Sequence, residues 1–399
     1  MPAVTVEDFR KIAQRRLPPF LFEYIDGGSY TETTLRRNVE DLQTLALRQQ
    51  VLKDVSNIDT GTNLFGSRLS FPLVLAPIGL AGMYARRGET QAVRAANRAN
   101  IPFCLSTVSA CSLEEVGSAA TNPFWFQLYM MRDRTFVRDL IAKAKKTQCS
   151  ALVFTVDMPV AGVRYRDFKS GLAGVSGTRA ALRRIWQALG HPAWAWDVGL
   201  MGGPHSLGNV APILGKGAQL GDLIEWINNN FDPTATWTDL EFIRSQWPGP
   251  LIIKGILDPA DATKAADSGA DAIVVSNHGG RQLDGAPSTA RTLAAISDAV
   301  GSRIKVFADG GVRSGLDVFR MLALGADAVL IGRAWAYGLA AAGEKGVAYI
   351  IAQMQSELSV AMSLTGTTTI GQISQQHLIP QTEGNTEGTR HPSLPAGPG

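Results

Sequence analysis

The stretch Ile304–Arg333, IKVFADGGVRSGLDVFRMLALGADAVLIGR, holds one complete structural repeat. Ile304–Ala308 is a short apolar run that ends in Asp309-Gly310-Gly311. Gly315–Leu324 then carries apolar residues at helical spacing, and Ala328–Ile331 is a second apolar run closed by Gly332-Arg333. Neither run alternates apolar with polar, which is how a strand covered on both faces reads. Strand, turn, helix, strand is the unit from which parallel sheets are wound.

The same rhythm extends back to Phe71. Further strands are expected at Phe71–Leu75, Ile101–Leu105, Phe124–Leu128, Ala151–Val156, Leu251–Ile253 and Ala272–Ser276. Amphipathic segments at Glu89–Arg98, Arg134–Lys146, Thr238–Gln246, Ala260–Ser268 and Ser288–Val300 separate most of them. Eight strands in series with helices between them predict a (β/α)8 barrel, an α/β fold that needs roughly 250 residues. An open doubly wound sheet would want GxGxxG after its first strand, and none stands there. Two helices are expected ahead of the barrel, Thr5–Arg15 and Leu17–Ile25, the second stopped by Gly27-Gly28. Residues 1–378 are therefore read as one barrel unit, with a fourth βα loop enlarged by an insertion over about 158–236. Within it, RAALRRIWQAL (Arg179–Leu189) places Leu182, Ile185, Trp186 and Leu189 on one helical face and Arg179, Arg183 and Arg184 near the other. The Pro/Gly/Thr-rich residues 379–399 read as a disordered tail.

Composition bounds the function. The 399 residues are 45% hydrophobic and 18% charged with a net charge of +3, which gives nucleic-acid binding no electrostatic support. Cys104, Cys111 and Cys149 lack ligand spacing and read as reduced thiols of a cytosolic protein. The N-terminus reads as neither signal peptide nor anchor, and no window is apolar for the ~18 residues a spanning helix requires, so any membrane contact is expected to be peripheral.

In a barrel the chemistry sits at the C-terminal ends of the strands. Those ends carry Ala76, Ser106, Gln127, Tyr129, Thr155, Asp157, Lys254, Ser276 to Arg281, Asp309 to Arg313, and Gly332-Arg333. Gly310-Gly311 and Gly332-Arg333 follow strands seven and eight, where glycine amides and arginines form a phosphate site; a plain tight turn is the bland alternative for the first pair. His278, with Arg281 three residues on, has the chemistry of a general base beside a carboxylate clamp. Asp157 is placed to orient it and to stabilise its imidazolium.

SNHGGRQLDG, with TVDMPV, WFQLY and ADGGVRSG before and after it, resembles the FMN-dependent L-2-hydroxy acid oxidising family over residues 5 to 375. YARRGE, YRD and NNFDP are closest to the bacterial respiratory L-lactate dehydrogenases of that family. The resemblance implies FMN as cofactor and the oxidation of L-lactate to pyruvate. It makes His278 the base and Asp157 its partner, with Tyr24, Tyr129, Arg164 and Arg281 on the substrate. It sets Lys254 beside the flavin, with Ala76, Ser106, Gln127, Thr155 and Ser276 around the ring. Asp309, Gly310, Gly311, Arg313, Gly332 and Arg333 then belong to the ribityl and phosphate site. It also implies a homotetramer. The Arg/Trp segment 179–196 of the fourth loop is read in two ways: as a surface for the cytoplasmic side of the plasma membrane, close to a quinone or other respiratory acceptor, or as an amphipathic lid packed on the barrel. The alternative within the family is an O2-using oxidase or monooxygenase of glycolate, lactate or mandelate. An FMN-dependent isomerase, a phosphosugar-binding barrel or a sensor without turnover are alternatives of other classes, and each would leave His278 and Arg281 without a task.

Overall fold

The computed structural model describes residues 3–173, 178–203, 207–210, 226 and 229–379. The tail expected to be disordered lies, from 380 on, outside the described residues, as do parts of the fourth loop. Eight parallel strands form one sheet: β1 (Leu73–Leu75), β2 (Cys104–Ser106), β3 (Trp125–Tyr129), β4 (Ala151–Thr155), β5 (Leu251–Ile256), β6 (Ala272–Val275), β7 (Lys305–Ala308) and β8 (Ala328–Ile331). Their spatial order is β1-β8-β7-β6-β5-β4-β3-β2, and a parallel bridge between Leu75 and Phe103 joins the two ends. The sheet is thereby closed into the expected barrel.

Nearly every strand residue is buried, as the unbroken apolar runs require. One apolar cluster lies between sheet and helices. A second fills the barrel interior with Val74, Trp125, Val153, Ile252, Phe307 and Leu330, where Trp125 and Phe307 stack at 5.9 Å. A hairpin (Thr62–Leu64 with Ser67–Leu69) plugs the N-terminal end. Its turn residues Phe65 and Gly66 both have positive φ, and Phe65 packs against Trp125 and Phe307.

Three boundaries differ from the expected ones by two or three residues, for local reasons. β1 and β2 start at 73 and 104, after Pro72 and Pro102, which have no N–H for the ladder. β5 runs on to Ile256 through a register shift at Gly255, whose φ is +112°. A Cβ there would lie 2.5 Å from that of Asp157, so the bulge makes room for a site residue.

Ahead of the barrel, α1 (Val6–Arg16) starts at a Thr5/Asp8 capping box, α2 (Pro19–Asp26) carries Tyr24, and α3 (Thr33–Thr44) crosses the strand ends. In the fourth loop a helix spans Thr178–Leu189. Gln187 fastens it, accepting from Phe20 N at 2.9 Å and donating to Ser170 O at 2.9 Å. Trp194 is buried edge-on to Phe20 and donates to Met83 O at 2.8 Å. Leu182, Ile185, Trp186 and Leu189 are exposed, Trp186 to 72%. Arg184 instead turns inward to Gly171 O. The amphipathic face is thus inverted, with its apolar side to solvent. The side chain of Arg179 lies outside the described residues.

Candidate active site

The C-terminal strand ends enclose a cavity of about 330 Å³. Of the catalytic, substrate and cofactor residues that the resemblance implies, all line it except Gln127, Asp157 and Ser276, which stand behind its wall. Asp157 acts on the cavity through His278, and Ser276 through Lys254. Gln127 stands just beneath the wall, where its Oε1 accepts from Ser106 Oγ at 3.1 Å.

His278 stands in a run of three left-handed residues, with φ of +57° at His278, +64° at Gly279 and +74° at Gly280. Two glycines carry that path at low cost, and Gly280 in addition passes so near α3 that a Cβ would meet Leu35 N at 2.5 Å. The turn is fixed by Asn277, which exchanges two 2.8 Å hydrogen bonds with Asn38 of α3 and donates to Pro287 O. Ser276 Oγ accepts from His278 N at 3.1 Å. A strained histidine held from all sides is a pre-organised one.

His278 Nδ1 lies 2.9 Å from Asp157 Oδ1. An ionised carboxylate only accepts, so Nδ1 carries the proton and Nε2 is left as the basic nitrogen. Burial pulls the His278 imidazolium below its usual range, although Asp157 opposes it. Burial raises Asp157, but His278 and Lys254 more than offset this and hold it below the usual carboxylate range. At neutral pH the pair is a neutral imidazole on a carboxylate, the state a base needs.

Lys254 Nζ lies 3.0 Å from Asp309 Oδ2 and 2.9 Å from Ser276 Oγ. Burial lowers its ammonium, yet Asp309 and Asp157 outweigh that and push it above its ordinary value, so it is a permanent cation. On the opposite side, Tyr24 lies under two guanidiniums, Arg281 at 4.8 Å and Arg164 at 5.9 Å from the ring centroid. Arg281 is braced by the Gly27 carbonyl at 2.8 Å. Tyr129 packs on Phe231 at 4.7 Å, and burial pushes its hydroxyl up.

The glycine-rich end is formed by Gly310-Gly311, Arg313 and Gly332-Arg333. Gly311 has φ +81° and lies under Asn38, so close that a Cβ would come within 1.9 Å of Asn38 O. Gly332 opens the long helix Arg333–Thr365, and no side chain caps the amides there. Such a helix start favours an anion. The Arg333 guanidinium lines the cavity and is held there by backbone carbonyls. It donates to Ile25 O, Gly27 O and Gly279 O at 3.0, 2.7 and 2.9 Å, and burial, then Arg281, pushes it down to about 9.

The residues fit a flavin mononucleotide on structural grounds. Thr155 Oγ1 and Gln127 Nε2 are buried polar atoms without a protein partner, at the ends of β4 and in β3. A cation follows at Lys254, and a glycine-lined helix start follows at Gly332.

The sequence reading missed the frame around these groups. Asp26 accepts from Arg10 (2.9 Å), Arg166 (2.8 Å) and Tyr337 (2.7 Å), tying α1, the fourth loop and the last helix to α2. Gln282 donates to Asp157 O and Val160 O and accepts from Gly162 N, pinning the start of the fourth loop. Asp167 lines the cavity, its carboxylate 3.7 Å from Arg164 Nη1. Burial raises its carboxyl, although Arg281, Arg164 and Arg166 oppose this. The YRD triplet was a visible signal for Arg166 and Asp167, and SNHGGRQLDG contains Gln282; nothing local marks Asp26.

The profile of the family described as FMN-dependent dehydrogenase matches residues 13–380. An L-lactate dehydrogenase of Caulobacter vibrioides (strain NA1000 / CB15N) is 61% identical over 368 residues, covering 92% of this chain and 95% of that protein. The L-lactate dehydrogenase of Alcaligenes faecalis is 58% identical, over 93% of this chain and 97% of its own. Among solved structures, the monotopic membrane protein (S)-mandelate dehydrogenase superposes with a TM-score of 0.88 at 33% identity, over 95% of this chain and all of that one. Fold, cavity and kinship agree, and the chain belongs to the family of FMN-dependent dehydrogenases.

Proposed function

We propose that this protein oxidises L-lactate to pyruvate. The observation that carries the reading is the His278–Asp157 pair set opposite two guanidiniums across one cavity, in a chain about 60% identical to L-lactate dehydrogenases. Bound FMN supplies the two-electron acceptor. The chain does the rest. Arg281 and Tyr24 bind the substrate carboxylate, with Arg164 and Tyr129 at the hydroxyl-bearing side. The substrate loses two electrons and two protons; Nε2 of His278 receives one proton, the other leaves with the two electrons for the cofactor, and Asp157 stabilises the imidazolium that forms. Lys254 sets a fixed positive charge where negative charge gathers. Ala76, Ser106, Gln127 and Thr155 would surround the flavin ring, with Ser276 steadying Lys254, and Asp309, Gly310, Gly311, Arg313, Gly332 and Arg333 would hold the ribityl phosphate. Anaerobic titration of the FMN-loaded protein with L-lactate is expected to bleach the flavin band, while D-lactate leaves it unchanged. A yellow protein indifferent to L-lactate but bleached by glycolate or mandelate would overturn the substrate.

Electrons are read as passing to a membrane quinone, from a homo-oligomer on the cytoplasmic side of the plasma membrane. Among the described residues no helix is long and apolar enough to cross a membrane. The outward apolar face of Thr178–Leu189 supports a peripheral attachment instead. Four large side chains are exposed there, and each is worth about 1.5–3 kcal/mol when fully withdrawn from water. Replacing Leu182, Ile185, Trp186 and Leu189 by Ser is expected to move the enzyme from the vesicle pellet to the supernatant, with turnover on a soluble dye kept. A variant that still pellets would exclude this face as the anchor.

A further inference from the structure

The charged groups of the cavity are not equally available to a ligand. Lys254 is bound to Asp309, and Arg333 has each of its three nitrogens on a carbonyl oxygen. Arg313 belongs to the glycine-rich turn after β7. Two guanidiniums remain on the Tyr24 side, Arg164 and Arg281. A site for one carboxylate needs one of them. Both are half-buried, and desolvation followed by the charge of Arg281 lowers Arg164.

Asp167 resolves this excess. Its N–H donates to Arg164 O at 3.1 Å, within one turn of the short helix Tyr165–Ser170. Its carboxylate faces Arg164 at 3.7 Å and lines the cavity. Among the described residues that line the cavity, Asp167 and Asp309 are the carboxylates, and Asp309 is taken by Lys254. Arg166, between Arg164 and Asp167, is clamped to Asp26 at 2.8 Å and to Glu23, so the segment cannot turn its carboxylate away.

We infer that Asp167 is a specificity-determining residue that cancels the charge of Arg164, leaves Arg281, braced only by backbone carbonyls, as the guanidinium of that side without a carboxylate partner among the described residues, and so selects monoanionic 2-hydroxy acids over dianionic ones. The inference rests on the 2-hydroxy acid reading above and adds the charge class of the substrate. Its logic is that of discrimination by an unfavourable term: a second carboxylate entering the wild-type pocket finds no free cation and meets Asp167. Size alone cannot do this, because malonate and propionate differ only by a carboxylate in place of a methyl.

The test is calorimetric titration of the FMN-loaded enzyme with propionate and with malonate, neither of which can be oxidised as lactate is, at mildly alkaline pH where the carboxyl is ionised. The quantity read is the ratio of the propionate Kd to the malonate Kd. Asp167→Asn is expected to raise it by at least about tenfold, the factor that ~1.4 kcal/mol of differential charge interaction produces. Asp167→Glu is expected to keep the wild-type ratio, and Arg164→Gln to lower it. An Asp167→Asn ratio within about twofold of wild type would overturn the inference. Should that variant not fold, Arg164→Gln decides alone: a lowered ratio supports the inference and an unmoved one defeats it. A wild-type enzyme that binds neither acid and ignores L-lactate is a different failure, that of the 2-hydroxy acid reading itself.

Discussion

His278→Asn is expected to retain FMN and its fold while the rate of flavin bleaching by L-lactate falls by about 10²–10⁴-fold, the range over which a positioned general base contributes. Asparagine is the informative replacement because position 278 has φ +57°, a region it tolerates better than most residues. It can also donate to Asp157, so the carboxylate is not left bare. What it cannot supply is a basic nitrogen. The wild-type pH profile provides the second readout. Burial lowers the His278 imidazolium below its usual range, so the neutral base persists into mildly acid solution. Activity should therefore fall only as pH drops through a value below about 6.5, the ordinary histidine figure, and this acid limb should vanish in the variant. Bleaching at the wild-type rate, with the acid limb intact, would remove His278 from the chemistry.

How much of this was legible in the chain depends on the range of the interactions involved. The barrel strands could be read because each is covered on both faces, so its own residues carry the signal. The helix Arg333–Thr365 could not, since it is buried along much of its length and kinks at Ala342-Gly343, which erases a single helical period. The plugging hairpin was missed because its two strands have three residues each. At the site, strand-end residues follow directly from the strands. The groups that orient them do not. Asp26 meets partners 140 and 311 positions away, and Tyr24 lies under an arginine 257 positions away, after the sixth strand. Such contacts are created by closure of the sheet, and only the resemblance brought Tyr24 into view beforehand. The exposed face of Thr178–Leu189 is a different case. The pattern was visible, but which side of it would meet the protein was decided by Gln187 and by the inward turn of Arg184.

Lys254→Met should be the most destabilising single change at the site, by about 3–5 kcal/mol, the cost of leaving one member of a buried ion pair alone. Both side chains are buried, 3.0 Å apart, and the other oxygen of Asp309 has no protein partner to absorb the charge. Asp309→Asn should act in the same direction, since it strands the ammonium. The double variant Lys254→Met/Asp309→Asn removes both charges and is expected to recover most of the loss in urea midpoint, because a buried pair is seldom worth more than neutral packing. It should not recover turnover of L-lactate. That split is the point of the experiment. If the double variant were as active as the wild type, the pair would be a packing device and its place beside the orphaned Thr155 hydroxyl a coincidence. If it is stable and inactive, Lys254 is kept for its charge. The buried aspartate is then the means by which the barrel retains, at neutral pH and out of water, a cation that burial alone would push toward neutrality.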